Sequence, residues 1–392
     1  MRIRFLTALI LAAPLASLHA QIDPATIPKR PALPVDRDSN SASDYFYFGG
    51  SVLGKTPERA AAAFYWASRL DPTWADPFYG RYVALLLAQP EMVLTGYLTR
   101  RPGTLRDPIV RRIDSLAYQA LLRNPFVDRR FDGVLLEEWL FRETGGTVRL
   151  PDLAASNPRF AGWLAYANGR FQEATAFYAT ALARGRKDPT LHLQRALPFV
   201  ALGLMDSARS AVQTALTLLR GSDTAQALYA YESYPFAEYS VGVLFENGNQ
   251  RDSAQAAYER ALLDDLTFFP AHRRLARIRL AAHDTAGAMA EYTRAAETGP
   301  PDAGGRFELA VLLASTGHTD SAVTLLRHAT EDEPWFARPH ALLGLIYERS
   351  GFRPEASDQY RSFLRLAPRS MATEIQAVSR RLAALSDSSA SP

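Results

Sequence analysis

Apolar and small residues recur along the second half of the chain with a fixed period of 34 residues. Alanine stands at the same place in four successive units, at Ala254, Ala288, Ala322 and Ala356. Within each unit, apolar residues return every three or four positions over two stretches, a spacing that predicts two amphipathic helices. A period of this length is typical of a solenoid, in which each unit stacks on its neighbours.

Small residues and helix breakers account for the expected geometry of one unit. Ala310 and Ala322 belong to the two helices of a unit, and we expect them to let the two backbones approach closely. Gly317 and Gly351 stand in the turns, where a left-handed conformation ends the first helix. Pro334 cannot extend the second helix. One such hairpin cannot bury its apolar face alone, so stacked neighbours bury it for one another.

The repeating unit resembles the tetratricopeptide repeat. Residues 337–370 reproduce the family pattern most fully, and their departure from it is Phe363, where a small residue is usual. The residues that carry the resemblance are Leu343, Gly344, Tyr347, Gly351, Ala356, Tyr360 and Pro368. The resemblance implies an all-α fold, a right-handed α-solenoid of stacked antiparallel helix pairs that winds into a superhelix.

The rest of the chain divides around this array. The predicted order is a signal peptide (1–20), a Pro-rich flexible leader (21–42), an N-terminal helical region with repeat-like and irregular helices (43–157), two repeat units (158–220), an insertion (221–235), four repeat units (236–370), a capping helix (371–386) and a disordered tail (387–392). The irregular stretch 90–157 shows no repeat register, and it is interpreted either as degenerate repeats or as an inserted helical subdomain.

The first 20 residues have the pattern of a secretory signal peptide. Arg2 and Arg4 precede an apolar run from Phe5 to about Leu18, and Ala20 supplies a small residue before a polar start. We expect cleavage after Ala20, export to the bacterial periplasm or beyond the cell, and no stable membrane insertion afterwards. The alternative is an uncleaved anchor, for which the apolar run is short.

Composition and charge argue against several classes of function. The formal net charge of +3 falls to +1 when the signal peptide, with two arginines and no acidic residue, is removed. A chain so nearly balanced is not expected to bind nucleic acid. It contains no cysteine, which excludes a thiol nucleophile, a disulfide and a thiolate metal site. The histidines are scattered and no G-x-S-x-G motif occurs, so the sequence predicts a protein that is not an enzyme, with no catalytic residues, metal or cofactor.

One motif is typical of nucleotide binding, but the surrounding sequence does not predict the sheet that such a site needs. Residues 49–56 match the phosphate-loop pattern G-x-x-x-x-G-K-[ST]. A phosphate loop needs a buried strand before it, a helix after it and a parallel sheet around it, and nothing else in the chain reads as such a sheet. We therefore interpret Gly54 as part of a turn between helices, Thr56 as a helix N-cap and Pro57 as the first helical residue.

The resemblance also implies where a partner binds, because the first helix of each tetratricopeptide unit lines a concave groove. Arg273 and Arg277 lie one helical turn apart, so both guanidinium groups can face one carboxylate or phosphate. The alternative is that the aromatic residues pack internally and the arginines pair with nearby acids. The groove positions are Arg159, Trp163, Tyr166, Tyr239, Asn247, Arg273, Arg277, Phe307, Glu348 and Arg349.

Two hypotheses of function follow. The first is a non-catalytic scaffold or adaptor of the bacterial envelope that holds a partner protein or peptide in its groove. The second is an enzyme, or an accessory of one, whose activity lies in residues 90–157. A compact pocket with perturbed acidic residues in that region would favour the second hypothesis, and a smooth continuation of helix pairs would favour the first. The sequence identifies neither the partner nor the oligomeric state.

Overall fold

The structure is a computed structural model that describes residues 24–387, except residues 100, 102, 185–186 and 221–232. The regular secondary structure of these described residues is entirely helical, with twenty α-helices and no strand. The all-α fold class that the resemblance implies is therefore confirmed. The predicted signal peptide, most of the predicted insertion and almost all of the predicted tail lie outside the described residues.

The helices follow one another with short connections. In chain order they are α1 Ala42–Val52, α2 Pro57–Leu70, α3 Asp76–Leu87, α4 Glu91–Leu98, α5 Pro108–Arg123, α6 Asp132–Thr144, α7 Leu150–Ser156, α8 Pro158–Ala167, α9 Phe171–Ala183, α10 Pro189–Ala201, α11 Met205–Arg220, α12 Tyr234–Asn247, α13 Arg251–Asp264, α14 Phe269–Ala281, α15 Thr285–Thr298, α16 Ala303–Ser315, α17 Thr319–Asp332, α18 Ala337–Arg349, α19 Arg353–Leu366 and α20 Ala372–Asp387.

Six helix pairs make up the repeat array, from α8/α9 to α18/α19, and each pair packs on the next. We call the first helices of these pairs, α8, α10, α12, α14, α16 and α18, the inner helices. The alanines that recur every 34 residues are fully buried in the helix pairs, as predicted: Ala254, Ala288, Ala322 and Ala356 are each 0% exposed.

Close packing within a pair depends on one small residue facing one large side chain 16 positions later. Gly242 meets the ring of Tyr258, and Gly344 meets the ring of Tyr360. A Cβ atom at either glycine would lie less than 3.0 Å from the facing ring. The glycines therefore let the tyrosines lie flat between the two helices, where both rings are buried.

The turns within the pairs use a left-handed residue, as the sequence predicts for two of them. Gly317 has a φ of +84° and Gly351 a φ of +80°. In the two units before them, Asn249 (φ 55°) and His283 (φ 62°) take the same conformation. Asparagine and histidine tolerate this region better than most residues, which is why the repeat is preserved without glycine there.

The N-terminal region begins with one more helix pair, α1/α2, and continues into less regular helices. Helix α3 packs on α2 and then on α5, while α4, α6 and α7 lie outside this series. Gly49 and Gly50, from the phosphate-loop pattern, belong to helix α1. Pro57 is the first residue of α2, and Thr56 stands at the N-cap position without a side-chain capping bond. The helix–turn–helix interpretation of this motif therefore describes the structure.

The leader, expected to be flexible, lies against α1, α2 and α3 over its described residues. The indole N–H of Trp66 donates to the Pro28 carbonyl (3.1 Å), and Arg81 donates to the Pro24 carbonyl (2.6 Å). The Arg30 guanidinium lies 5.0 Å from the centre of the Trp66 ring. At its end, the Asn40 amide donates to the Arg365 carbonyl in α19 (2.8 Å).

The N-terminal helices contact the inner helices of the later units. The Tyr239 hydroxyl in α12 donates to the carbonyl of Leu122 at the end of α5 (2.7 Å). Arg274 in α14 donates to the carbonyl of Arg123, the residue that follows Leu122 (3.1 Å). The rings of Trp66 and Trp335 meet edge to face, 4.7 Å apart. The beginning of the chain thus covers part of the face that the groove prediction assigned to a partner.

The last pair is covered by α20. Phe363, the departure from the repeat pattern, is fully buried in a cluster with Val378 and Leu385 of α20. A small residue here would leave a gap, because the next element is a single helix and not another pair.

Candidate functional site

The two arginines predicted to line the groove of the later units are paired within the chain. The Arg273 guanidinium donates to the carboxylates of Asp302 (2.6 Å) and Glu308 (3.3 Å), and Arg277 pairs with Glu308. Arg123 of α5 reaches Asp302 from the other side (3.5 Å). The arginines thus pair with nearby acids, which is the alternative interpretation of their spacing.

Burial and pairing act in opposite directions on Arg273. Burial disfavours the charged guanidinium, but the attraction of Glu308 and Asp302 outweighs it, so that the pKa of Arg273 is raised above its usual value. A buried pair of this kind is costly to break, because a lost partner leaves an uncompensated charge. The Arg273 network is therefore a structural junction between units.

A small cavity of about 80 Å³ adjoins this junction, lined in part by Arg123, Arg273, Arg274 and Arg277. Arg274 is bound to Glu246 (3.1 Å), as the other three are bound to Asp302 or Glu308. The four lining arginines face three carboxylates, so pairing compensates most, though not all, of the positive charge around the cavity.

The remaining groove residues of the later units differ in their surroundings. Tyr239 is 1% exposed and covered by the N-terminal helices, and Phe307 packs edge to face on the Phe336 ring (5.5 Å). Glu348 accepts hydrogen bonds from the Tyr360 hydroxyl and from Arg381 (3.1 Å). Asn247 and Arg349 are exposed. The role of these residues in partner binding stays a prediction.

The groove residues of the first unit lie beside a larger cavity. Arg159 donates to Asp188 (2.6 Å) and to the side-chain carbonyl of Gln194 (3.0 Å), which ties α8 to α10. Trp163 and Tyr166 line a cavity of about 210 Å³ between the N-terminal helices and the inner helices α8, α10 and α12. Its wall is rich in tyrosine, and it includes Tyr79, Tyr82, Tyr97, Tyr166 and Tyr178.

One carboxylate, that of Asp132 at the start of α6, is buried in the wall of this cavity. It accepts hydrogen bonds from the Tyr79 hydroxyl (2.7 Å) and the Trp163 indole N–H (3.1 Å). Burial raises the pKa of Asp132, while the charge of Arg129 and the two hydrogen bonds act to lower it. The side chain thus links α3, α6 and α8, and it does so where the irregular region meets the first repeat unit.

Trp163 and Tyr166 were predicted from the sequence as binding residues, whereas the residues on the opposite wall of the cavity were not. Tyr79, Tyr97 and Asp132 come from the N-terminal region, whose stretch 90–157 has no repeat register that could place a side chain. The tyrosines at 79, 82 and 97 were the available signal, but alone they do not distinguish a cavity from a core.

Two negative findings concern the described residues. Among them, no group of three histidine, aspartate or glutamate side chains stands close enough to hold a metal ion. None of the helices described is both long and apolar enough to cross a membrane.

The helix pairs, their period and their turn residues define an α-solenoid of the tetratricopeptide class. The family model for the tetratricopeptide repeat matches residues 279–346, and these residues are tetratricopeptide repeats, as the sequence pattern predicts. Repeats of this class form scaffolds for protein interaction, since stacked units present an extended face. No curated protein matches the chain.

Several solved structures of tetratricopeptide proteins are similar to the chain. MamA is 19% identical over 44% of this chain and 93% of its own, with a TM-score of 0.37. YrrB, described as a tetratricopeptide protein with an unusual peptide-binding site, is 19% identical over 48% of this chain and 92% of its own, with a TM-score of 0.38. PilW, described as a type IV pilus biogenesis factor, is 18% identical over 53% and 91%, with a TM-score of 0.40.

Proposed function

We propose that the protein is an exported, non-catalytic scaffold that binds a peptide segment of a partner protein on its inner helices α8 and α10. The observation that carries this proposal is the division of the inner face. The chain's own N-terminal helices bond directly to α12, to α14 and to the N-cap of α16, whereas a cavity lined by Trp163 and Tyr166 remains between them and α8. A partner therefore finds side-chain room at the first two units.

Binding at the later units would have a larger energetic cost. A ligand aimed at Arg273 must first separate that arginine from Asp302 and Glu308, and breaking such a largely buried pair costs up to about 3–5 kcal/mol. At the first units, Trp163 is only partly buried and can make new apolar contact without such a loss. Binding a partner at the first units thus costs less free energy than binding at the later units.

Export is proposed from the N-terminal pattern of the sequence, with Arg2 and Arg4 before the apolar run. The test is fractionation of the native host, followed by N-terminal sequencing of the protein. A mature chain that begins at Gln21 in the periplasmic or external fraction is the expected result. A chain that begins at Met1 in the cytoplasm would contradict the localisation while leaving peptide binding open to its own test.

Peptide binding is tested with the mature chain, residues 21–392, and a random peptide library. Selected peptides are labelled and titrated by fluorescence anisotropy. We expect Trp163→Ala to weaken binding, because the indole lies at the cavity, and Phe352→Ala to leave it unchanged, because that exposed ring lies in the last repeat unit. Thermal melts confirm that both variants fold. Failure to select any peptide, or equal affinity in the two variants, would count against the proposal.

The buried Asp132 favours a second candidate, an enzymatic role for the irregular region. A carboxyl group whose pKa is raised by burial inside a cavity is a candidate acid. The scaffold is preferred because both Asp132 oxygens are occupied by Tyr79 and Trp163, an arrangement that joins three helices. An activity of the purified chain that disappears in Asp132→Asn, with peptide affinity retained, would establish the second role.

A further inference from the structure

The cavity beside α8 has the size of one large side chain. Its volume of about 210 Å³ is smaller than the roughly 300–1,000 Å³ of pockets that enclose whole small-molecule ligands. It is larger than the apolar cavities of about 150 Å³ that are known to accept benzene. A single aromatic ring with a polar substituent fits between these limits.

Its wall has the geometry that aromatic rings prefer. The rings of Tyr79 and Tyr82 lie 5.3 Å apart, and those of Tyr82 and Tyr97 lie 6.0 Å apart at an interplanar angle of 62°. Such tilted and edge-to-face contacts suit the quadrupole of an aromatic ring. Trp163 and Tyr166 face this wall from α8. A ring that enters the cavity continues an existing series of aromatic contacts.

The charge of the wall favours a neutral guest. Arg129 and Asp132 are its charged residues, and their charges offset each other. The tyrosine hydroxyls stay protonated at neutral pH, since burial raises the pKa of Tyr166 to about 12. Thr190 and Gln194 add polar groups from α10. Because the Gln194 carbonyl accepts from Arg159, its amide N–H groups are the end that can donate to a guest oxygen.

We propose that this cavity is the anchor pocket for one tyrosine or tryptophan side chain of the bound peptide. The inference rests on the proposed function, because it takes the ring from a partner peptide. The ring packs among Tyr82, Tyr97 and Tyr166. A tyrosine hydroxyl accepts from the Gln194 amide, and an indole N–H donates to the Thr190 hydroxyl. Peptides that lack an aromatic residue then lose the contact on which recognition depends.

The first experiment compares two probes on the mature chain, N-acetyl-tyrosinamide and N-acetyl-leucinamide, by NMR titration. We expect the tyrosine probe to bind about five- to tenfold more tightly, because stacked rings add to simple apolar burial. Equal affinity for the two probes would overturn the aromatic assignment.

A matched pair of variants locates the binding. Thr190→Trp places a large ring on a half-buried residue in the cavity wall, and it is expected to reduce affinity for the tyrosine probe at least about tenfold. Thr180→Trp makes the same change on an exposed position of α9, away from the cavity, and is expected to change nothing. Undiminished binding in a folded Thr190→Trp variant would place the probe elsewhere and reject the pocket.

The selected library peptides separate this inference from the proposed function. Peptides that bind the first units and share a tyrosine or tryptophan support both. Peptides that are weakened by Trp163→Ala but share no aromatic residue reject the anchor pocket and leave the scaffold standing. Binding of the tyrosine probe without binding of any peptide supports an aromatic pocket for a free small molecule, and it rejects the scaffold and the peptide source of the ring.

Discussion

The guanidinium Nε of Arg69, at the end of α2, lies 2.6 Å from the Glu333 carboxylate, which follows α17. The two atoms are close, but neither has a hydrogen-bond partner among the described residues. Burial raises the pKa of Glu333 to about 7, against the opposing attraction of Arg69. A misaligned ion pair compensates desolvation poorly, so the attraction of Arg69 does not offset the burial of Glu333.

Stability should therefore depend on pH through Glu333. A carboxyl group whose pKa rises from 4.5 to about 7 on folding stabilises the protein fully below pH 4.5, and this stabilisation is lost as the pH rises through 7. The change amounts to about 3 kcal/mol. We expect Glu333→Gln to remove this component, so that its urea midpoint varies less between pH 5 and 7.5 than that of the wild type. An unchanged pH profile would show that Glu333 titrates normally.

The Arg273 network predicts an unequal effect of two neighbouring substitutions. Arg273→Ala removes the largely buried arginine that Asp302 and Glu308 share and leaves them only Arg123 and the half-exposed Arg277, so we expect a loss of about 3 kcal/mol in the free energy of unfolding. Arg277→Ala removes a half-exposed partner of Glu308, and the expected loss is below about 1 kcal/mol. Urea unfolding measures both. Equal losses would contradict this account of the network, and a loss of peptide affinity in Arg277→Ala would restore Arg277 as a binding residue.

The repeat array could be predicted from the sequence because the same packing contacts recur in every unit. Ala322 is buried for the same reason as Ala288, and the same offset of 34 residues reveals both. The closure of the chain on itself has no such signal, since Arg69 and Glu333 are far apart in sequence and their contact occurs once. The cavity was missed for the same reason, because Asp132 belongs to a stretch without register.

The contact between Gly344 and the Tyr360 ring predicts a destabilising substitution and a second substitution that compensates for it. Gly344→Ala would bring a Cβ atom against the buried Tyr360 ring and should destabilise the last pair by about 1–3 kcal/mol. Ala310 and Leu326 occupy the equivalent positions one unit earlier, both fully buried. We therefore expect Gly344→Ala with Tyr360→Leu to recover part of the loss, which a double-mutant cycle of urea midpoints measures. Additive losses would refute direct contact.

The packed leader makes a final prediction, which compares two arginines seven residues apart. The Arg30 guanidinium lies over the Trp66 ring and donates to the Tyr45 hydroxyl (3.0 Å), so Arg30→Ala should cost about 1–3 kcal/mol. Arg37 pairs with Asp44 near the surface, and Arg37→Ala should cost less than about 1 kcal/mol. Thermal unfolding ranks the two, and tryptophan emission should shift to longer wavelength in Arg30→Ala alone. Identical melts would mean that the leader is not held in place by Arg30.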